Sequence, residues 1–381
     1  MSDDPDRWLS TGDASAKLGV RPQTLYAYVS RGLLTPRRDG RRSYFKIDEL
    51  EKLEPKSKRT VRRGRIEVAI DSAVTLLESE GRLFYRGEDV QVIAPTWSFE
   101  RAAELLWSGY DSGEPKPWPV ATDTDVPGRT LTDRVRNAMA SLAVNAPEID
   151  SQPQVARTIG RRVLPQLVAS LPLLGKRETA ARAPLARQLW VRLTELPPTA
   201  DRIAALNCAL IVFADHQLVR STIAARFAAS SQAPPLDAVL AAMATHSGVA
   251  RHGFRTSMEE ALRVGGEPPG AYDQVAYSNR DPRADALAPL VRPAASEAGW
   301  QTVALALADE RPPSADLALA SLTVACEMAP TAAEAIYTIA RVAGLLAHVA
   351  EEYDHPSAFR PSVGYRGPVP SEYLGDDAGP F

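Results

Sequence analysis

Two short strings hold most of the side chains in the second half of the chain that could do chemistry. One is Asn279-Arg280-Asp281-Pro282-Arg283-Ala284, and the other is Ala340-Arg341-Val342-Ala343-Gly344-Leu345-Leu346-Ala347-His348. A guanidinium pairs bidentately with a carboxylate, so arginines gathered by a fold suit an acid-bearing ligand. Alone, each string is ordinary: one arginine is usually a surface residue, and one histidine in an apolar helix is usually structural. Asp316, after Pro312 and Pro313, reads locally as an acid at a helix N-terminus.

The elements that would position these residues are mostly helices. At 381 residues the chain is long enough for a sizeable core and more than one domain. It has no run of about 18 apolar residues, so no membrane span is expected. The polar, acidic start Met1-Ser2-Asp3-Asp4 argues against a signal peptide. Cys208 and Cys326 both lie in apolar helical surroundings, which fits buried thiols in a reducing cytoplasm. No ligand spacing points to a metal, and no tightly held cofactor is expected.

Charge is unevenly placed. Residues 1–65 hold 16 Lys plus Arg against 9 Asp plus Glu, so they carry about +7 and the remainder about −10. A basic head on an acidic body predicts an anionic partner for the head. Within residues 8–53, Thr11 or Asp13 could cap a helix through Leu18. Gly19-Val20 supplies a turn, and Pro22 opens a second helix to about Ser30. Leu25, Tyr28 and Val29 would face a small core, leaving Gln23, Thr24 and Tyr26 nearer the exposed face. Arg37-Arg38-Asp39-Gly40-Arg41-Arg42 then reads as a basic hairpin with Asp-Gly at its tip. A helix-turn-helix followed by a basic wing resembles the MerR and excisionase type. DNA contact is therefore expected through Gln23, Thr24, Tyr26, Arg37, Arg38, Arg41 and Arg42, within residues 1–65.

After residue 65 the pattern changes to helices with short connections. Residues 82–90 are the exception and read as a short β-hairpin. Ser98-Phe99-Glu100 opens a helix through Leu106 by a capping pattern. Residues 184–196 read as an amphipathic helix, and residues 203–229 as one long apolar run.

Five segments, in order, resemble the citrate synthase family. They are Gly81–Gly87 with Ser98-Phe99-Glu100 and Glu104–Gly109, Ala214-Asp215-His216 with Ser221-Thr222, the two strings above, and Arg360-Pro361 with Tyr365–Pro368. The resemblance covers most of residues 66–381. It implies a winged helix-turn-helix domain (1–55) and a basic linker (56–65). These lead into a mainly α, two-domain citrate synthase fold, with a large domain from 66–252 and 321–381 and a small domain at 253–320. It also implies a homodimer, or a mixed oligomer with a homologue.

The chemistry that comes with the resemblance is a Claisen-type condensation of an acyl-CoA, acetyl or propionyl, with oxaloacetate or a related 2-oxo acid. A thioester α-proton is weakly acidic, so the reaction needs a carboxylate base beside the methyl and a donor on the thioester oxygen. By the match, Asp316 would be the base and His252 the enolate donor. His216, Arg283, Arg341 and Arg360 would hold the oxo acid. Two positions depart from the family pattern. Phe254 replaces the second glycine of His-Gly-Gly. Gln274 stands where a histidine polarises the acceptor ketone, and no histidine lies between His252 and His348. Counting forward from Pro269-Gly270 lands instead on Asp273. A glutamine can donate a hydrogen bond but cannot deliver a proton, so the resemblance also implies an alternative. A catalytically impaired body could sense an oxo acid or a CoA ester, or complete an active homologue.

Overall fold

The computed structural model describes residues 8–11, 14–15, 25, 28–29, 33–39, 42–47, 49–50, 70–78, 81–145, 151–177, 179–246, 254–273, 276–357 and 359. The chain divides into two units, Met1–Ile70 and Asp71–Phe381.

The first unit holds strands β1 (Trp8–Ser10), β2 (Pro36–Asp39) and β3 (Arg42–Lys46) in an antiparallel sheet of order β1-β3-β2. The basic hairpin forms as expected, with Arg37 opposite Tyr44 and Arg38 opposite Ser43. β1, absent from the sequence reading, adds a third strand. The Trp8 ring it carries sits beneath the Arg37 guanidinium (5.6 Å) and the Lys46 ammonium (5.3 Å), both cation–π contacts. Thr11 donates its hydroxyl to the Ser43 carbonyl (3.1 Å), tying it to β3. Ala14, Leu25, Leu34, Phe45 and Leu50 are buried together, with Tyr28 and Val29 packed against them. Gln23, Thr24, Tyr26 and Arg41 lie outside the described residues, as does the Arg42 side chain; Arg37 and Arg38 are exposed.

The second unit opens with a small antiparallel sheet of β4 (Thr75–Glu78), β5 (Arg82–Tyr85) and β6 (Glu88–Asp89) in that order. Arg86 and Gly87 both have positive φ, +51° and +95°, which suits a tight turn between twisted strands. Helices follow: α1 (Val90–Ile93), α2 (Phe99–Ser108), α3 (Leu131–Asn145), α4 (Pro153–Ala169), α5 (Leu185–Leu193), α6 (Ala200–Val212) and α7 (Arg220–Ser230). Beyond them lie α8 (Pro235–His246), α9 (Phe254–Arg263), α10 (Pro282–Ala294), α11 (Glu297–Leu307), α12 (Ala315–Ala325) and α13 (Ala332–Asp354).

Local chemistry explains several boundaries. The Ser98 hydroxyl accepts from the Arg101 amide (3.1 Å) and starts α2, which runs two residues past Leu106 before Gly109 closes it at φ +84°. The apolar stretch over 203–229 is divided between two helices, α6 and α7. Asp215 accepts a hydrogen bond from the amide of Gln217 (3.0 Å), an Asx-type turn that competes with helix continuation. Gln217 accordingly takes φ +54°.

α13 is the central helix of the unit. By length and composition it could cross a membrane, but 94% of its apolar window is buried inside the protein. Ile336, Ile339, Leu345 and Leu346 are fully buried, each contributing about 1.5–3 kcal/mol by area. Cys208 and Cys326 are free and buried, and burial pushes both thiols up to about 12.

Candidate functional site

Asp281, Pro282 and Arg283 form a self-contained device at the start of α10. Asp281 caps the helix by accepting from the Arg283 amide (3.0 Å), and Pro282 occupies the first turn, where no amide is needed. The Arg283 side chain folds back on the same carboxylate, through Nε (3.0 Å) and Nη2 (2.6 Å). Burial alone would lower the Arg283 pKa, but Asp281 outweighs it and holds the guanidinium above its ordinary value. The charge is thus fixed in place at the wall of a cleft of about 340 Å³.

Asp316 faces the same cleft. Ser314 caps α12 by accepting from the Leu317 amide (3.1 Å), which puts Asp316 in the first turn, where the helix dipole favours a carboxylate. Arg255, from α9, brings its Nε to 2.8 Å from Asp316 Oδ1, without the alignment of a hydrogen bond. The same guanidinium donates to Glu334 (3.2 Å) and lies 3.6 Å from the Tyr337 ring centroid. Burial pulls the Arg255 pKa down, and Asp316 and Glu334 more than restore it. The candidate base therefore rests beside a buried, permanently charged arginine.

Asp215 and His216 are neighbours in sequence and face opposite ways. His216 lines the cleft, with Nε2 3.0 Å from the Tyr277 hydroxyl. Burial raises the Tyr277 pKa, so that hydroxyl is neutral. Asp215 is fully buried. It receives the Thr75 hydroxyl (2.7 Å), sits 3.2 Å from His348 Nε2, and lies 3.4 Å from Arg341 Nη2. Burial would raise the Asp215 pKa, but Arg341, His348 and Thr75 outweigh it and hold the carboxyl well below the usual range. His348 Nδ1 faces Arg226 (3.1 Å), which can only donate, so the ring proton belongs on Nε2 and goes to Asp215. Arg226 also pairs with Glu351 (2.6 Å) and Glu352 (2.8 Å).

Gly344 makes this approach of α13 possible. A Cβ there would fall 2.4 Å from the Ala214 carbonyl oxygen and 2.5 Å from Asp215 Oδ1. The backbone amide of Gly344 instead donates to Ala214 O (3.2 Å).

Of the residues singled out from sequence, the structure brings Asp316, His216 and Arg283 to one cleft, together with Asp273. It places Arg341 elsewhere: 1% exposed, donating to Thr222 (3.1 Å) and facing Asp215, away from the cleft lining. His252, Gln274 and Arg360 lie outside the described residues. Phe254 is not on the cleft wall; its ring covers Gly270, where a Cβ would meet it at 2.5 Å. Sequence reading missed Arg255, Glu334, Tyr337 and Tyr277. A signal existed for the first of these, because Arg255 and Glu259 share the buried face of α9 with Met258 and Leu262. A charge on the apolar stripe of an amphipathic helix marks a buried partner. Among the described residues no cluster of His, Cys, Asp or Glu could hold a metal.

A mostly helical body, a small leading sheet and a cleft walled by facing carboxylates and arginines define a citrate synthase-like fold. The model of the citrate synthase C-terminal domain matches residues 65–268, just over half the chain, and the chain belongs to the citrate synthase family. A helix-turn-helix domain model matches residues 8–53. Citrate synthase 2 of Bacillus subtilis (strain 168) is 23% identical over 81% of this chain and 96% of that protein. The citrate synthase of Thermotoga maritima MSB8 superposes with a TM-score of 0.56 at 20% identity, over 82% of this chain and 98% of its own. That of Thermoplasma acidophilum, solved as a ternary complex with carboxymethyl coenzyme A and oxaloacetate, gives 0.58 at 18% identity, over 80% and 95%.

Proposed function

We propose that the cleft condenses an acyl-CoA, acetyl or propionyl, with oxaloacetate or a related 2-oxo acid. The observation that carries this reading is the convergence of Asp316, His216 and Arg283 on one cavity. Arg283 offers a fixed guanidinium to a carboxylate, and His216 offers a ring nitrogen to the oxo acid. Asp316 takes the α-proton of the thioester, with His252 donating to the enolate oxygen. The enolate carbon then bonds to the ketone carbon, the ketone oxygen takes up a proton, and water releases CoA from the thioester. Gln274 polarises the ketone without supplying its proton, so that proton comes from solvent or from Asp273, and the rate is lower than with an acid in place. Such acid catalysis is typically worth about 10²–10⁴-fold. Arg341 and Arg360 complete the acid-binding set, Arg341 by leaving Asp215 when ligand enters. The relative bound to carboxymethyl coenzyme A and oxaloacetate supports this substrate pairing. In this reading, residues 253–320 close as a small domain on a large domain made of 66–252 and 321–381, within a homodimer.

The test is release of free CoA from acetyl- or propionyl-CoA in the presence of oxaloacetate, with Asp316→Asn alongside. Release that needs both substrates and falls at least about 10²-fold in the variant supports the reading.

One observation favours a second reading. Asp316 sits 2.8 Å from the Arg255 guanidinium, so the carboxylate is already engaged by a charge from the protein. In that reading the cleft binds the same ligands without turnover, serving a regulator whose basic head contacts DNA through Arg37, Arg38 and their neighbours, or a partner subunit of an active homologue. Absence of CoA release, with oxaloacetate binding by calorimetry and a ligand-dependent change in DNA retention on a gel, would favour the regulator.

A further inference from the structure

Two carboxylates share the Arg255 guanidinium, and they differ in their access to the cleft. Asp316 lines the cavity and keeps 19% of its side-chain surface, whereas Glu334 keeps 2% and is not part of the lining. Arg255 Nη1 donates to Glu334, at 3.2 Å and 3.5 Å from its two oxygens. Arg255 Nε lies 2.8 Å from Asp316 Oδ1, within ion-pair range but not aligned as a hydrogen bond. The guanidinium is therefore anchored by Glu334 and the Tyr337 ring, and it adjoins Asp316 by charge alone. Glu334 lies in the first turn of α13, where the helix dipole favours a carboxylate.

This arrangement matters once a base has done its work. A proton taken by Asp316 cancels its charge. Arg255 has no such freedom, because a guanidinium stays protonated in proteins. It is buried, and a buried charge that loses its partner is strongly unfavourable. Glu334 is the partner that remains. Before proton transfer two carboxylates face one guanidinium; afterwards one faces one, beside a neutral acid. A ligand's proton cannot arrive at Glu334 instead, since Glu334 does not border the cavity.

We propose that Glu334 is a positioning residue for proton transfer to Asp316, holding Arg255 in place and balancing its charge while Asp316 is neutral. In that step the thioester α C–H bond breaks, its electron pair enters the enolate, and the proton rests on Asp316. Oδ1 is closed off against Arg255, so Oδ2 receives the proton. The proposal rests on the condensation reading for the role of Asp316 as base, and it concerns the proton transfer alone.

Deuterium exchange isolates that transfer from carbon–carbon bond formation. The full chain is incubated in deuterium oxide with acetyl- or propionyl-CoA and L-malate, which has the carboxylates of oxaloacetate but no ketone to attack. Mass spectrometry should show deuterium entering the α-position with the parent protein and not with Asp316→Asn. Glu334→Gln should slow exchange at least about tenfold, because Asp316 is then the one carboxylate left to Arg255 among the described residues. Its calorimetric affinity for L-malate should match the parent's. Arg255→Gln/Glu334→Gln should exchange faster than Glu334→Gln alone, since the charge that needed balancing is gone; a purely structural pair would lose more, not less. Parental exchange in Glu334→Gln, a matching loss of L-malate affinity, no recovery in the double variant, or a parent that does not exchange would overturn the proposal. CoA release with oxaloacetate, measured alongside, separates the two readings. Exchange that needs Asp316 and Glu334 without CoA release would sink condensation and uphold the role of Glu334.

Discussion

The Asp316 cleft and the Asp215 network are built from the same parts and differ in what can reach them. Each sets aspartates against arginines within hydrogen-bonding or ion-pair range. Around Asp215 every partner comes from the protein, and Asp215, Arg341 and His348 are 0–1% exposed. Around Asp316 and Arg283 the side chains keep 19% and 15% of their surface and border open volume. An ion pair at a cavity can be exchanged for a ligand's carboxylate where it stands, whereas one in the core must open before a ligand can reach it. Residue type does not separate the two regions; access does.

The comparison can be broken most directly at Arg341. Arg341→Met leaves Asp215 buried beside a lost charge and is expected to cost about 3–5 kcal/mol of stability, read by urea denaturation. A loss below about 1 kcal/mol would mean the network is not structural. Arg283→Met is the matched change in the cleft. It should weaken oxaloacetate binding by about 10–100-fold, the value of a charged hydrogen-bonded pair, while costing less stability than Arg341→Met. Equal stability losses would erase the distinction between the two regions.

Gly344→Ala sharpens it from the backbone side. The added methyl meets Ala214 O and Asp215, so overpacking should cost up to about 3 kcal/mol in denaturation midpoint experiments. Glu100 supplies a third case, a buried acid that meets no arginine among the described residues. Burial pushes its carboxyl up to about 6, while one oxygen accepts from the Leu185 amide (2.7 Å) and the other has no partner. Because the folded value lies above the ordinary 4.5, the fold favours the protonated form. Stability from this group is present below pH 4.5 and is lost as pH rises through 6. Glu100→Gln should therefore gain about 2 kcal/mol over the parent at pH 8 and nothing at pH 4. A pH-independent difference between the two proteins would contradict the assignment.

Much of the fold was legible because its signals are local. Ser98 caps α2, Asp281-Pro282 start α10, and the basic hairpin of residues 37–42 forms as its residues predict. Where the apolar stretch at 203–229 is interrupted was not legible, because the break depends on one side chain, Asp215, bonding its own backbone two residues on. The site was legible only in part. Asp316, His216 and Arg283 could be named from their strings. Arg255 could not be given its role, because its partners lie 61 and 79 positions along the chain.

By itself, then, the sequence determined the caps and turns, the amphipathic faces, the basic head and the family. Each of these is set by residues within a turn or two of one another, or by their order along the chain. Only the tertiary structure decided that Arg341 faces Asp215 while Arg283 faces a cavity, and that Asp316 rests against Arg255. Those outcomes depend on which helix faces meet and on how much space is left between them. Packing fixes both, and nothing in the local sequence of either partner records them.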